Sequence, residues 1–293
     1  MTSAQVLQFV FSGLTLGCIY ALVALGFTII FNTTGIVNFA QGDFVMLGAL
    51  FAASFSTLLG LPIALSVLLA VLGVAAVGGL MERLLIHGLN DDRRLFVSVM
   101  MTMGASIVIN AVALLLWGAD PHSVRAFTGE TPIRVHGATL VPQMLWIGGG
   151  VAVVMGALMA FFRMTWLGRG MLACSMNKDA AAAVGVNVRA MVLLSFVCSA
   201  AIGGLGGALV APITMATHDM GGLMTLKGFT AAIVGGLGSA PGALIGGLAL
   251  GLFESLSSGF ISSGYRDAIA LGLLLAVLML RPSGLVGSKV LRR

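Results

Sequence analysis

Charge is scarce in this sequence. Only 9% of its 293 residues are Asp, Glu, Lys or Arg, where a water-soluble domain carries about 25% to cover its surface. A soluble fold is therefore excluded. No charged residue precedes Asp43, so the amino end lacks the positive stretch and cleavage site of a secretory signal, and the first apolar run is expected to remain as a span. Cysteine is scarce too. Cys18, Cys174 and Cys198 are far apart, odd in number and without a CxxC pair, which supports neither a disulfide framework nor a zinc site. They read as small apolar packing residues. The phosphate loop GxxxxGK[ST] is absent, so the chain cannot bind ATP by that route and must borrow its energy. His87, His122, His136 and His218 are scattered, with no HExxH and no Ser/His/Asp grouping; neither catalysis nor a resident metal is expected.

Apolar surface is there in excess: 59% of residues are hydrophobic and the mean hydropathy is +1.09. The 41 glycines suit membrane helices, where small side chains let backbones approach. Eight apolar stretches read as candidate spans, a full crossing needing roughly 20 residues: Val6 to Phe31, Ala40 to Leu59, Pro62 to Leu85, Leu95 to Trp117, Gln143 to Phe162, Met191 to Pro212, Gly242 to Ile261 and Ala268 to Leu280. Between the sixth and seventh of these, Gly228 to Gly238 covers only about 17 Å as a helix and reads as a half-helix, tolerated where protein or a watery cavity surrounds it. The expectation is an all-α, polytopic membrane bundle of about eight spans plus that half-helix, forming a single domain over 1–293.

Basic residues set the orientation. With the amino end periplasmic, the cytoplasmic segments hold Arg83, Arg93, Arg94, Arg163, Arg169, Lys178, Arg189, Arg281, Lys289, Arg292 and Arg293, leaving Arg125, Arg134, Lys227 and Arg266 on the other face. That is a positive-inside pattern, and the net charge of +5 reports it rather than nucleic-acid binding. Two polar excursions follow: a periplasmic one at 118–142, able to receive a soluble partner, and a cytoplasmic one at 163–189.

The cytoplasmic excursion encodes a short helix. Asn177 is a good N-cap, Asp179 falls in the first turn, four alanines extend it, and Gly185 can close it in a left-handed conformation. Ionisable residues inside a span are costly and face a bundle interior or water, which singles out Asp43 and Glu254. Asp43 follows Asn38 and Gln41 after a glycine-containing break. It either lines a pathway or caps the second span; Glu254 either lines a pathway or ties helices near the periplasmic end. Gly203 and Gly207, Gly242 and Gly246, and Gly247 and Gly251 have the spacing of close helix crossings within the subunit. The first span followed by Gly35 to Leu47, and the sixth followed by Gly222 to Val234, form a faint repeat pointing in opposite directions.

Four blocks carry a resemblance. Tyr20-Ala-Leu-Val-Ala-Leu-Gly26 with Gly35-Ile-Val-Asn38-Phe-Ala-Gln41-Gly42-Asp43, the Asp179-Ala180-Ala181-x-x-x-Gly185 spacing, Lys227 to Gly247, and Arg281-Pro-Ser-Gly-Leu-Val-Gly287 stand in this order along nearly the whole chain. Together they resemble the LivH-type permease family of branched-chain amino acid ABC importers, with Gln41 where the family usually has His and Leu172 where it often has a second loop Arg. The resemblance implies a permease subunit in the bacterial inner membrane. It also implies a second permease, homologous or identical, two cytoplasmic ATPases that consume the ATP, and a periplasmic binding protein. Asp179, Ala180, Ala181 and Gly185 would dock on the ATPase; Asn38, Gln41, Asp43 and Glu254 are the candidates for the translocation path. Importers of urea, amides or small acids look similar. From a different class, a self-sufficient secondary transporter or channel would work without ATPases, and a structural scaffold would leave the loop helix without purpose.

Overall fold

The computed structural model describes residues 3–86, 94–129, 131–135, 137–260, 264, 266–281 and 284–286. Of the basic residues used above, Arg93, Lys289, Arg292 and Arg293 lie outside them. Among these residues eleven α-helices run in the order α1 (Ser3–Thr34), α2 (Gln41–Ala53), α3 (Ile63–Met81), α4 (Arg94–Trp117), α5 (Pro142–Met164), α6 (Trp166–Met176), α7 (Lys178–Ala183), α8 (Val188–Thr214), α9 (Met220–Gly235), α10 (Ala240–Phe260) and α11 (Arg266–Leu280). Short π-helical turns prolong α2 over Ser54–Leu58 and α3 over Glu82–Ile86. Between α4 and α5 a hairpin pairs β1 (Ile133–Val135) with β2 (Ala138–Leu140) in antiparallel register.

Among the described residues, six helices are long and apolar enough to cross a membrane: α1, α3 with its π-turn, α4, α5, α8 and α10. The two further spans expected are shorter, α2 having 13 residues with 5 more in its π-turn and α11 having 15. The chain is a polytopic membrane protein.

The bundle is organised around α1, a rod of 32 residues, or about 48 Å. Its most apolar stretch is 78% buried, against 11% for α4 at the rim. Glycine makes this possible. Gly247 and Gly251 of α10 lie directly on the backbone of Ala21, Gly17 and Gly13, so a methyl group at either would collide with α1. Ser255 Oγ donates to Phe9 O at 2.7 Å and Asn32 Nδ2 to Gly238 O at 2.8 Å, at opposite ends of the same pairing. Thus α10 runs antiparallel to α1. On the other side α8 is also antiparallel, with Ser199 beside Gly26 and Gly206 beside Leu22. Gly207 of α8 accommodates the backbone of α2 at Val45 and Ala49.

Two elements differ from the sequence-based expectation. The half-helix α9 starts at Met220 rather than at Gly228 and spans 16 residues; hydropathy placed its start late because Lys227 interrupts the apolar run. For the same reason Lys227, expected on the periplasmic face, is instead inside the bundle. The second expected span is also a half-helix. Gly35, at φ 75, ends α1 with its N–H on Phe31 O at 2.7 Å, and the chain turns back so that α2 begins with Gln41 against Gly26. That start lies eight residues, or about 12 Å, short of the end of α1. Its counterpart comes after α8: Pro212 removes a helix N–H, Met215 takes the left-handed φ of 61, and the chain re-enters to begin α9. The two pairs, α1 with α2 and α8 with α9, run in opposite senses.

Candidate functional site: a polar node, a buried ion pair and an exposed loop helix

The amino ends of α2 and α9 meet inside the protein. Gly42 N donates to Thr225 Oγ1 at 3.0 Å, and the same hydroxyl lies 3.2 Å from Phe39 O and 3.0 Å from Gly221 O. A helix start leaves its first N–H groups open and carries the positive end of the helix dipole. Asp43 answers both. It sits in the first turn of α2, and its carboxylate rests so closely on Gly221, in the first turn of α9, that a methyl group at Gly221 would collide with it. Asn110 of α4 donates to Asp43 Oδ1 at 3.2 Å.

Asn38 and Gln41 complete this node. Asn38 Oδ1 accepts from Ala40 N at 3.1 Å, shaping the turn into α2. Gln41 reaches Ser199 of α8, with Ser199 Oγ 2.6 Å from Gln41 Oε1 and 2.9 Å from Gly26 O. Phe39 N donates to Thr102 Oγ1 at 3.3 Å. Asn38, Gln41 and Asp43 are each 0% exposed. Asn38 Nδ2 and Asp43 Oδ2 have no hydrogen-bond partner among the described residues, while Ser106 of α4 joins Asn110 at the Asp43 carboxyl.

Glu254, the fourth candidate, belongs to a different cluster. Its Oε1 lies 2.5 Å from Lys227 Nζ, and that ammonium stands 5.7 Å over the ring of Tyr20. The ion pair therefore ties α9 to α10 against α1. Lys227 was missed as an interior residue by hydropathy, as were the node partners Thr102, Asn110, Ser199 and Thr225. A signal existed: Ser98, Thr102, Ser106 and Asn110 recur every four residues and so form one polar stripe on an apolar helix.

The loop helix forms as its residues imply. Asn177 Oδ1 accepts from Asp179 N at 2.9 Å and Ala180 N at 3.0 Å, and Gly185 turns the chain at φ 87. Only Ala181 is buried; Asp179, Ala180, Ala182, Ala183 and Gly185 are exposed. Around them Trp166, Met176 and Val184 are 86%, 84% and 79% exposed, an apolar rim in a region that also carries Arg163, Arg169 and Arg189. The loop lies at the end of the bundle where α1 finishes, since Lys178 Nζ donates to Thr34 O. Burial pushes the Cys174 thiol above its usual range, opposed in part by Lys178.

At the other end the excursion after α4 is tied down. His122 and Ala216 exchange backbone hydrogen bonds of 2.9 and 2.8 Å, Thr139 N donates to Gln8 Oε1 at 2.7 Å, and Gln143 bridges Phe127 N to Leu209 O.

Comparison with known proteins places this architecture. The chain is 33% identical over 296 residues to the high-affinity branched-chain amino acid transport system permease protein LivH of Salmonella typhimurium, covering 96% of this chain and 95% of that one. It is 30% identical to the corresponding permease protein BraD of Pseudomonas aeruginosa, again over 96% and 95%. Among solved structures it resembles PsaBC from Streptococcus pneumoniae in complex with Fab, with a TM-score of 0.50, 14% identity, and coverage of 94% and 92%, a likeness of fold. With the sequence pattern of the branched-chain amino acid transport system permease component matched over residues 9–278, the chain belongs to that family.

Proposed function

We propose that this chain is the permease subunit of an ATP-driven importer of branched-chain or related small amino acids, seated in the bacterial inner membrane with its amino end periplasmic. Two permeases, this chain with a copy or a homologue, form the path; two cytoplasmic ATPases drive it, and a periplasmic protein delivers the substrate. The carrying observation is the Asn177-capped α7. It is a small, exposed, alanine-built helix on the strongly basic end of the bundle, with an apolar rim that lipid cannot cover if it faces the cytosol. Family membership supplies the partner that would cover it, and the curated relatives' names supply the substrate class.

Asp179, Ala180, Ala181 and Gly185 take the coupling role in this scheme. Asn38, Gln41 and Asp43 govern the path from the node where two half-helices meet, an arrangement that in membrane carriers places helix starts and unsatisfied polar groups near the cargo. A self-sufficient ion-coupled carrier fits less well: Lys227 neutralises Glu254, which leaves Asp43 as the main intramembrane candidate for carrying a coupling ion.

The test is co-purification with the neighbouring gene products in mild detergent, followed by ATP hydrolysis with each candidate binding protein and leucine, urea, an amide or a small organic acid. Stimulation by leucine supports the reading; stimulation by one of the others reassigns the cargo. Gly185→Trp should remove ATPase attachment or coupling and leave membrane insertion intact, because Gly185 faces open space at a φ that side chains rarely adopt. Normal transport by that variant would overturn the assignment of the loop.

A further inference from the structure

Beside the packing of Ala181, Met171 and Cys174 on the bundle, a charged contact joins the loop to it. Lys178, the first residue of α7, directs its ammonium at the backbone oxygen of Thr34, the last residue of α1, at 2.5 Å and across 144 positions of sequence. That oxygen is one of the carbonyls a helix cannot satisfy for itself, at the negative end of its dipole, where a cation is favoured. Thr34 is buried. Its hydroxyl donates to Ile30 O at 2.6 Å and accepts from Ile36 N at 3.0 Å, so the residue that Lys178 grips also fixes the turn leaving α1. Four residues on, the same turn contains Asn38, and at its far end stand Gln41 and Asp43 with the start of α2. Asp179, Ala180, Ala182 and Ala183 of α7 are exposed and free to take a partner while Lys178 holds the bundle.

We infer that Lys178 is the positioning residue through which movement of the α7 loop reaches the re-entrant turn at 35–40 and the polar node behind it. The inference rests on the transport reading above. A partner that shifts α7 pulls on the end of α1 through this ammonium, and the turn relays the shift to the start of α2. Without the ammonium, α7 can still be docked, but its motion is transmitted more weakly.

The assay uses the assembled importer in proteoliposomes, with its ATPases, its binding protein and leucine as the probe. Lys178→Met should keep ATPase attachment and basal hydrolysis, while hydrolysis stimulated by loaded binding protein, and leucine moved per ATP, fall about tenfold, the scale of a coupling free energy between sites. Lys178→Arg should restore most of both, since a guanidinium reaches the same carbonyl. If Lys178→Met fails to accumulate, Lys178→Gln, too short to reach Thr34 O, is judged by the same readouts. Stimulated hydrolysis and uptake close to those of the unsubstituted chain overturn the inference. So does loss of ATPase attachment, which would make Lys178 a docking residue. If the unsubstituted chain neither binds ATPases nor imports with them, the transport reading fails first and the inference falls with it.

Discussion

Lys227 and Glu254 stand 2.5 Å apart inside the bundle, on two helices that reach the same spot from opposite directions. Removing one partner strands the other. Lys227→Met should therefore cost about 3–5 kcal/mol, and the double change Lys227→Met with Glu254→Gln much less, because breaking a buried pair is worse than replacing it. Unfolding of the purified single and double variants in one detergent checks this; equal losses in both would mean that the pair carries no coupling.

Asp43 faces the starts of two helices, where a negative charge is favoured by the helix dipoles. Asp43→Asn keeps the shape and the contact with Asn110 but removes the charge, and should lower stability by about 1–2 kcal/mol together with uptake. Unchanged uptake would take Asp43 out of the path, and unchanged melting would show that the dipoles do not need it.

The α1 to α10 crossing depends on absent side chains. Gly251→Val places a branched side chain on the backbone of Gly13 and Gly17 and should cost about 3 kcal/mol or more, as overpacking does in tight cores. Gly104→Val on α4, where nothing stands within 4 Å, is the control and should fold normally. The comparison is made on yield and melting temperature.

Orientation is read by labelling. Ala182→Cys should react with a membrane-impermeant maleimide only from the cytoplasmic side. Cys174 gives little background, being 2% exposed with its thiol pKa raised by burial. Reaction of Ala182→Cys in intact cells would invert the topology.

What the sequence disclosed divides by range. The loop helix was legible in detail because capping by Asn177 and closure by Gly185 are local events, settled within a few residues. The glycine spacings pointed to real crossings, since small residues four apart face one neighbour. Depth was not legible: hydropathy measures how long a segment is, not where it begins, so α2 read as a full span although it starts beside Gly26. Nor was the interior place of Lys227 legible, because an isolated lysine in an apolar run looks like the edge of a span until Glu254, 27 residues later, is seen to meet it. The node was half visible. Asn38, Gln41 and Asp43 are close together in sequence, while Thr102, Asn110, Ser199 and Thr225 come from three distant helices.

The burial of α1 has a consequence for where cargo can travel. With the middle of the described protomer filled by its own longest rod, the proposed pair of permeases would pass a permeant along a flank, in the seam between two such bodies. On that proposal, selectivity in the seam would be joint property: exchanging the neighbouring permease for another would alter what passes without changing a single residue of this chain.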